Sequence, residues 1–264
     1  MEIQLHCSLC GSTGKLFRVL PEDKYQGLIG IKSDRRKWIT CPACGLYWQV
    51  NGLTDDDLYR IYKKYRDSGF RDTPLKELFH KVNNLDAGES ENHYRWDWFN
   101  RHIHPTEQTL LDIGSGFGIW PYKVRQHGWN VSCVEPNDES AEFINQELKI
   151  PCSCDFSNGC SDSRFPVISI VHVLEHIRHP IGFLENIRNS LKDGGKLFIE
   201  VPDSVEFGYL DPEHDEFNSC HFWFFSVGAL SKLVGMAGFS VTDIHRVWHH
   251  SRNLSRILMI CQNI

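Results

Sequence analysis

No run of about eighteen apolar residues occurs in the chain, so no membrane-spanning helix is expected. The opening MEIQLHCSLC has no basic stretch leading into an apolar one, so no secretory leader is expected either. A basic surplus is also missing. Lys and Arg number 28 against 34 Asp and Glu, a formal net charge of −6, which argues against nucleic acid or an anionic membrane as the main partner. There is no internal repeat, no low-complexity segment, no GxxxxGK(S/T) phosphate loop and no GxGxxG dinucleotide loop. What is present is ordinary globular material. The 264 residues are 41% hydrophobic and 12% aromatic, enough for a sizeable core and more than one unit.

Cysteine departs from this plainness, with ten residues. Four form two CxxC pairs, Cys7/Cys10 and Cys41/Cys44, each followed by glycine. A CxxC turn lets two thiolates face one ion, and the glycine permits the sharp bend. Short β-like runs (LFRVL, GLIGI, KWIT and LYWQV) lie between and after the pairs. The expectation is a zinc ribbon over residues 1–52, with a structural Zn²⁺ on Cys7, Cys10, Cys41 and Cys44. So small a unit needs such a staple. His6 reads as a bystander, and the basic stretch KSDRRK at 32–37 as a solvated hairpin tip. Cys133, Cys152, Cys154, Cys160, Cys220 and Cys261 are scattered and read as small residues on strands and loops. Free or metal-bound thiols fit a reducing, cytoplasmic setting.

Residues 53–105 read as a helical linker or lid. Thr54 is an N-cap candidate ahead of Asp55, Asp56 and Asp57, and Leu58, Ile61, Tyr62 and Tyr65 recur at helical spacing. Further helices are expected near 74–83 and 90–103, where Tyr94, Trp96, Trp98 and Phe99 read mainly as core. From 106 to 264 strand and helix patterns alternate, which implies a parallel sheet flanked by helices. The expected strands are 109–113, 130–135, 151–154, 166–173 and 196–201, then 239–247 and about 255–261. The expected helices are 118–127, 137–148, 180–191 and 226–237.

The chemistry sits where the first strands end. Asp112 is followed by Gly114, Ser115, Gly116 and Gly118. Glycine accepts positive φ and lets a ligand approach the backbone, and the next helix offers free N–H groups. Glu135, with Pro136 behind it, can accept two hydrogen bonds from the cis hydroxyls of a ribose. Asp155 is placed to accept from the amine of adenine, with Phe156 beside the ring. The site so described holds an adenosine. The acid ahead of the glycines would repel a pyrophosphate and suits a cationic amino-acid amine, which favours S-adenosylmethionine over NAD.

DIGSGFG, VEP, VHVLEHI and KDGGKLFIEVPD resemble successive motifs of class I S-adenosylmethionine-dependent methyltransferases, over about residues 90–264. CHFWFFSVGALSKLVGMAGFSV resembles the last helix and strand of a subgroup that often carries an N-terminal zinc ribbon, and CPACGLYW is similar to the second half of that ribbon. The resemblance implies an α/β, Rossmann-like, seven-stranded sheet ordered 3-2-1-4-5-7-6, last strand antiparallel, with helices on both faces. It implies Asp112, Gly114 and Gly116 at the methionine end, Glu135 at the ribose, Asp155 and Phe156 at the adenine, and His172 and Val173 at the sulfonium side. Ser115, Gly118 and Pro136 belong to the same turns. His172, Glu175 and His176 resemble the metal-ligand positions of quinone O-methyltransferases, where the first position is acidic. Pro166 departs from the Asp that often enters strand four, and WHHSRNLSR is only loosely similar to the GGS-containing segment of sugar C-methyltransferases.

Displacement at a sulfonium methyl leaves alignment and proton removal to the protein. His221 and His214, in the long connection 202–225, are the candidate bases; capping and packing are their alternative roles. The expected acceptor is a small molecule, first a sugar or a polysaccharide or natural-product precursor. The alternatives are a nucleic-acid or protein methyltransferase with the ribbon as reader, and a non-catalytic binding protein. No NPPY-type tetrapeptide of base amino methylation follows strand four, and the oligomeric state is not legible.

Overall fold

The computed structural model describes residues 6–30, 36–64, 73–155, 164–249 and 254–263. The chain begins with β1 (Lys15–Leu20), α1 (Lys24–Leu28), β2 (Arg36–Thr40) and β3 (Tyr47–Val50). GLIGI, expected to be extended, instead begins inside α1. The cause is a capping box: the Asp23 carboxylate accepts from Tyr25 N and Gln26 N, and the Gln26 side chain accepts from Asp23 N. Helices α2 (Asp55–Lys64), α3 (Leu75–Asn83) and α4 (Glu91–His102) follow, close to the expected spans. Thr54 and Asp57 cap each other at the start of α2. Tyr65 lies outside the described residues.

Strand and helix then alternate through β4 (Thr109–Ile113), α5 (Ile119–Gln126), β5 (Asn130–Val134), α6 (Asp138–Gln146) and β6 (Cys152–Ser153). They continue through β7 (Phe165–Val171), α7 (Pro180–Ser190), β8 (Leu191–Pro202), β9 (Trp223–Phe224), α8 (Val227–Met236), β10 (Phe239–His249) and β11 (Leu254–Asn263). The main sheet runs β10-β11-β8-β7-β4-β5-β6, and β11 is antiparallel to both neighbours. Counted within that sheet this is the order 3-2-1-4-5-7-6. Strand side chains alternate between faces, so neighbours such as Val167 and Ile168 enter different cores. One core joins Ile168, Ile199 and Ile257 to α7 and α8; the other joins Leu110, Phe198 and Leu258 to α4, α5 and α6. Trp96, Trp98 and Phe99 are buried in the second, as expected of core residues.

The N-terminal sheet is completed from far away. β9 pairs antiparallel with β3, Tyr47 against Phe224 and Trp48 against Trp223. One face of that sheet joins the main core, where Ile39, Leu46 and Trp48 pack with Leu230, Leu233 and Ile257. On the other face Trp38 meets Phe207, Phe217 and Phe224 edge-on, at ring-centroid distances of 5.0, 6.0 and 5.5 Å.

Candidate functional site

β4 delivers Asp112 and Ile113 to the carboxyl edge of the sheet, and the chain turns there through Gly114, Gly116 and Gly118, at φ of +74°, +59° and +83°. A Cβ on Gly114 would stand 2.5 Å from Val173 Cγ2, so the position is closed to larger residues twice over. Ser115 Oγ donates to Asp112 O at 3.0 Å and closes the turn. Glu135 binds the turn from the next strand: one carboxylate oxygen accepts from Gly116 N at 2.7 Å, the other from Asn137 N at 3.0 Å. Asp112 is 2% exposed; burial pushes its carboxyl up to about 7, against the pull of a 2.6 Å hydrogen bond from Ser169 Oγ.

Two cavities adjoin at this corner. One, of about 320 Å³, is lined by Asp112, Gly114, Ser115, Gly116 and His172 together with Arg95 of α4. The other, of about 290 Å³, is lined by Glu135, Pro136, Asp155 and Val173, and shares Gly114 and His172 with the first. Two cavities of similar size therefore meet over the glycine turn, with acids in both. Bare glycine backbone on the floor and two engaged carboxylates fit an S-adenosyl amino acid. Gly118 lines neither cavity and packs toward Leu148 and Ile144 of the α6 side. Phe156 lies outside the described residues.

His172, at the joint between the cavities, has φ +55°, unusual for a residue with a side chain. Its Nδ1 is 3.2 Å from Glu175 Oε1 and its Nε2 3.3 Å from Glu200 Oε1. Burial lowers its basicity, but these two carboxylates outweigh it and hold the pKa up to about 9. Burial likewise raises Glu175, and the hydrogen bond and charge of His172 outweigh it, to about 2. Arg95 grips Glu200 with both arms, Nε at 2.5 Å and Nη2 at 2.6 Å. Two cations and two carboxylates thus balance in a buried knot directly behind the joint. Sequence reasoning missed Arg95 and Glu200. They stand 105 positions apart, and only the packing of α4 across β8 pairs them.

A third cavity, of about 360 Å³, shares Tyr62 and His176 with the cavity lined by Glu135 and Asp155. Tyr25, His214, His221 and Arg256 also line it. His214 Nδ1 accepts from Glu216 N at 3.2 Å, a capping role. His221 Nδ1 lies 2.8 Å from Glu216 O, and His176 Nδ1 lies 3.1 Å from Cys220 O. Ligand atoms of Glu175, His176 and His221 lie within 4.8 Å of one another. His172 falls outside that trio and groups instead with Glu91 and Glu200, whose ligand atoms lie equally close to it.

Beside the part of the N-terminal unit that joins the main core, Cys7 Sγ is 3.7 Å from Cys44 Sγ and Cys10 Sγ is 3.4 Å from Cys41 Sγ, all four within 4.8 Å of one another. The two turns are alike. Gly11 N donates to Cys7 O and Gly45 N to Cys41 O, both at 2.9 Å, with the glycines at φ +73° and +71°. Sulfur ligands at about 2.3 Å from a tetrahedral ion would be separated by roughly 3.8 Å, which these spacings match.

The chain matches the Methyltransferase domain family over residues 75–244, well over half its length, and belongs to that family. A curated relative, the ubiquinone biosynthesis O-methyltransferase of Paraburkholderia xenovorans (strain LB400), is 25% identical over 127 residues, covering 45% of this chain and 55% of the relative. The chain spans about half the length of the curated relatives it matches. Among solved structures, the 1,6-didemethyltoxoflavin-N1-methyltransferase of Burkholderia thailandensis, with bound 1,6-didemethyltoxoflavin and S-adenosylhomocysteine, superposes with a TM-score of 0.58 at 17% identity. It covers 87% of this chain and 96% of that one. The magnesium protoporphyrin IX methyltransferase of Synechocystis PCC 6803, with S-adenosylhomocysteine bound, gives a TM-score of 0.58 at 12% identity over 77% and 99% of the two chains. At these identities the likeness is one of fold.

Proposed function

We propose that the chain transfers a methyl group from S-adenosylmethionine to a small-molecule acceptor. The observation that carries the reading is the strand-end corner, where Glu135 and the Gly114–Gly118 turn floor two adjoining cavities. Glu135 would take the ribose, Asp155 the adenine side, and Asp112 with the glycine backbone the amino-acid end. The bound cofactor supplies a methyl group already activated by its sulfonium. The protein's own part is to orient, to exclude water and to hold the acceptor's proton, and His221 is the residue best placed for the last. His214 is the second candidate, although its Nδ1 already accepts from backbone.

The acceptor would enter the cavity of Tyr25, Tyr62, His176 and His221. Two tyrosine rings among imidazoles and a guanidinium suit a polar ring such as a sugar, and a space of about 360 Å³ suits a small molecule better than a macromolecule. The proteins named above, whose names give small-molecule products or substrates, support that class. We treat residues 1–52 as a ribbon stapled by Zn²⁺ on Cys7, Cys10, Cys41 and Cys44, residues 53–105 as a helical cover and 106–264 as the transferase unit. The cysteine content is consistent with a cytoplasmic setting.

The test is calorimetry with S-adenosylhomocysteine. The native chain should bind it, and Glu135→Ala should weaken binding by about tenfold or more, since charged hydrogen bonds contribute about 1.5–3 kcal/mol each. No heat from the native chain, or unaltered affinity in the variant, would sink the reading.

A further inference from the structure

We infer that the N-terminal unit is the clamp that positions His221, with Gln49 the positioning residue through which it acts. The inference rests on the reading of His221 as the acceptor's base. The segment 217–222 is largely irregular yet buried, and a buried backbone must find partners for its carbonyls. All six have one. Arg36 donates to Phe217 O, Gln49 Nε2 to Asn218 O at 2.9 Å, and Asn51 Nδ2 to Ser219 O at 2.9 Å. His176 Nδ1 meets Cys220 O at 3.1 Å, Gln49 Nε2 reaches His221 O at 3.1 Å, and Gln49 N donates to Phe222 O at 2.8 Å. Asp23 takes Ser219 N at 2.5 Å and Ser219 Oγ at 3.0 Å. Five of these six carbonyls are therefore held by residues of the first 52.

Gln49 is central to the set. Its side-chain amide bridges the carbonyls on either side of a turn that His221 N itself closes onto Asn218 O at 3.2 Å. Its own oxygen accepts from Asn51 Nδ2 at 2.6 Å, so both N–H donors and the oxygen of the buried amide are engaged. β3 carries Gln49 and is held in place by the cysteine turns: Cys41 N donates to Leu46 O, and Cys44 O accepts from Ser226 Oγ at the start of α8. The His221 ring, 9% exposed, is thus aimed by a residue 172 positions earlier in the chain.

The experiment compares native protein with Gln49→Leu, which keeps the volume and removes every side-chain hydrogen bond, by imidazole ¹⁵N NMR, amide hydrogen exchange and S-adenosylhomocysteine calorimetry. His221→Gln assigns the His221 signals. In Gln49→Leu the single native tautomer of His221 should give way to an averaged signal. Exchange at the amides of His221 and Phe222 should quicken by about tenfold or more, while cofactor affinity stays within twofold. Asn51→Ala, a milder change, should give the same pattern at smaller size and serves if Gln49→Leu does not fold. An unchanged His221 signal and unchanged exchange, with or without a fall in thermal midpoint, would overturn the clamp. Failure of the native protein to bind S-adenosylhomocysteine would instead strike the methyltransferase reading. Its readout is independent of the His221 signal.

Discussion

The strand-end corner proposed for the cofactor and the wall proposed for the acceptor are built in opposite ways. The corner is local: Asp112, the glycine turn and Glu135 fall within 24 consecutive residues, and adjacent parallel strands bring them together through backbone hydrogen bonds. The wall is assembled from afar. Tyr25 comes from α1, Tyr62 from α2, His176 from the 3-10 turn after β7, His221 from the connection after β8 and Arg256 from β11. The corner needs only the sheet. The wall needs the N-terminal unit, the sheet and the contacts between them, and it costs buried charge: Arg95, Glu200, His172 and Glu175 sit balanced where the two regions meet.

That contrast can be broken at its weakest link, the cysteine cluster. Cys41→Ser should give the largest effect. Metal content should fall from roughly one zinc per chain, the thermal midpoint should drop, and residues 217–222 should lose exchange protection, because structural zinc stabilises small units directly. Affinity for S-adenosylhomocysteine at room temperature should survive. Loss of cofactor binding in proportion to metal would show that the regions are not separable. The next largest effect tests the knot between them. Arg95→Met leaves Glu200 buried with only His172 and the Tyr94 hydroxyl beside it and should destabilise the fold by about 3–5 kcal/mol in chemical denaturation. A cost under about 1 kcal/mol would mean that Glu200 finds another partner. The smallest effect is one of pH. The folded-state pKa of His172 is raised from 6.5 to about 9, so its contribution is fully present below pH 6.5 and is lost as pH rises through 9. Denaturation midpoints should decline over that window in the native protein, and less so in His172→Gln. Parallel curves would assign the decline elsewhere.

Much of the corner was legible because its signals are short-range. An apolar run, an acid and alternating glycines mark strand, turn and helix whatever surrounds them, and β4, β5, β7 and α5 to α8 fall close to their expected spans. The cysteine turns were legible for the same reason. GLIGI misled because a capping box decides more than apolar character does over five residues. β9 is two residues long and is a strand only because β3 lies beside it. The positive φ of His172 follows from its place at the end of β7 between two carboxylates, which no sequence pattern announces.

By itself the sequence determined the strand order's raw material, the glycine corner with its flanking acids, and two cysteine turns, since each depends on neighbours a few residues away. Tertiary structure alone decided that the N-terminal sheet borrows its fourth strand from the connection after β8. It also decided that Gln49 holds the turn of His221 and that Arg95 answers Glu200. Those pairings are between residues 105 to 177 positions apart. They exist because a buried carbonyl or carboxylate must be satisfied by whatever donor the packing brings to it.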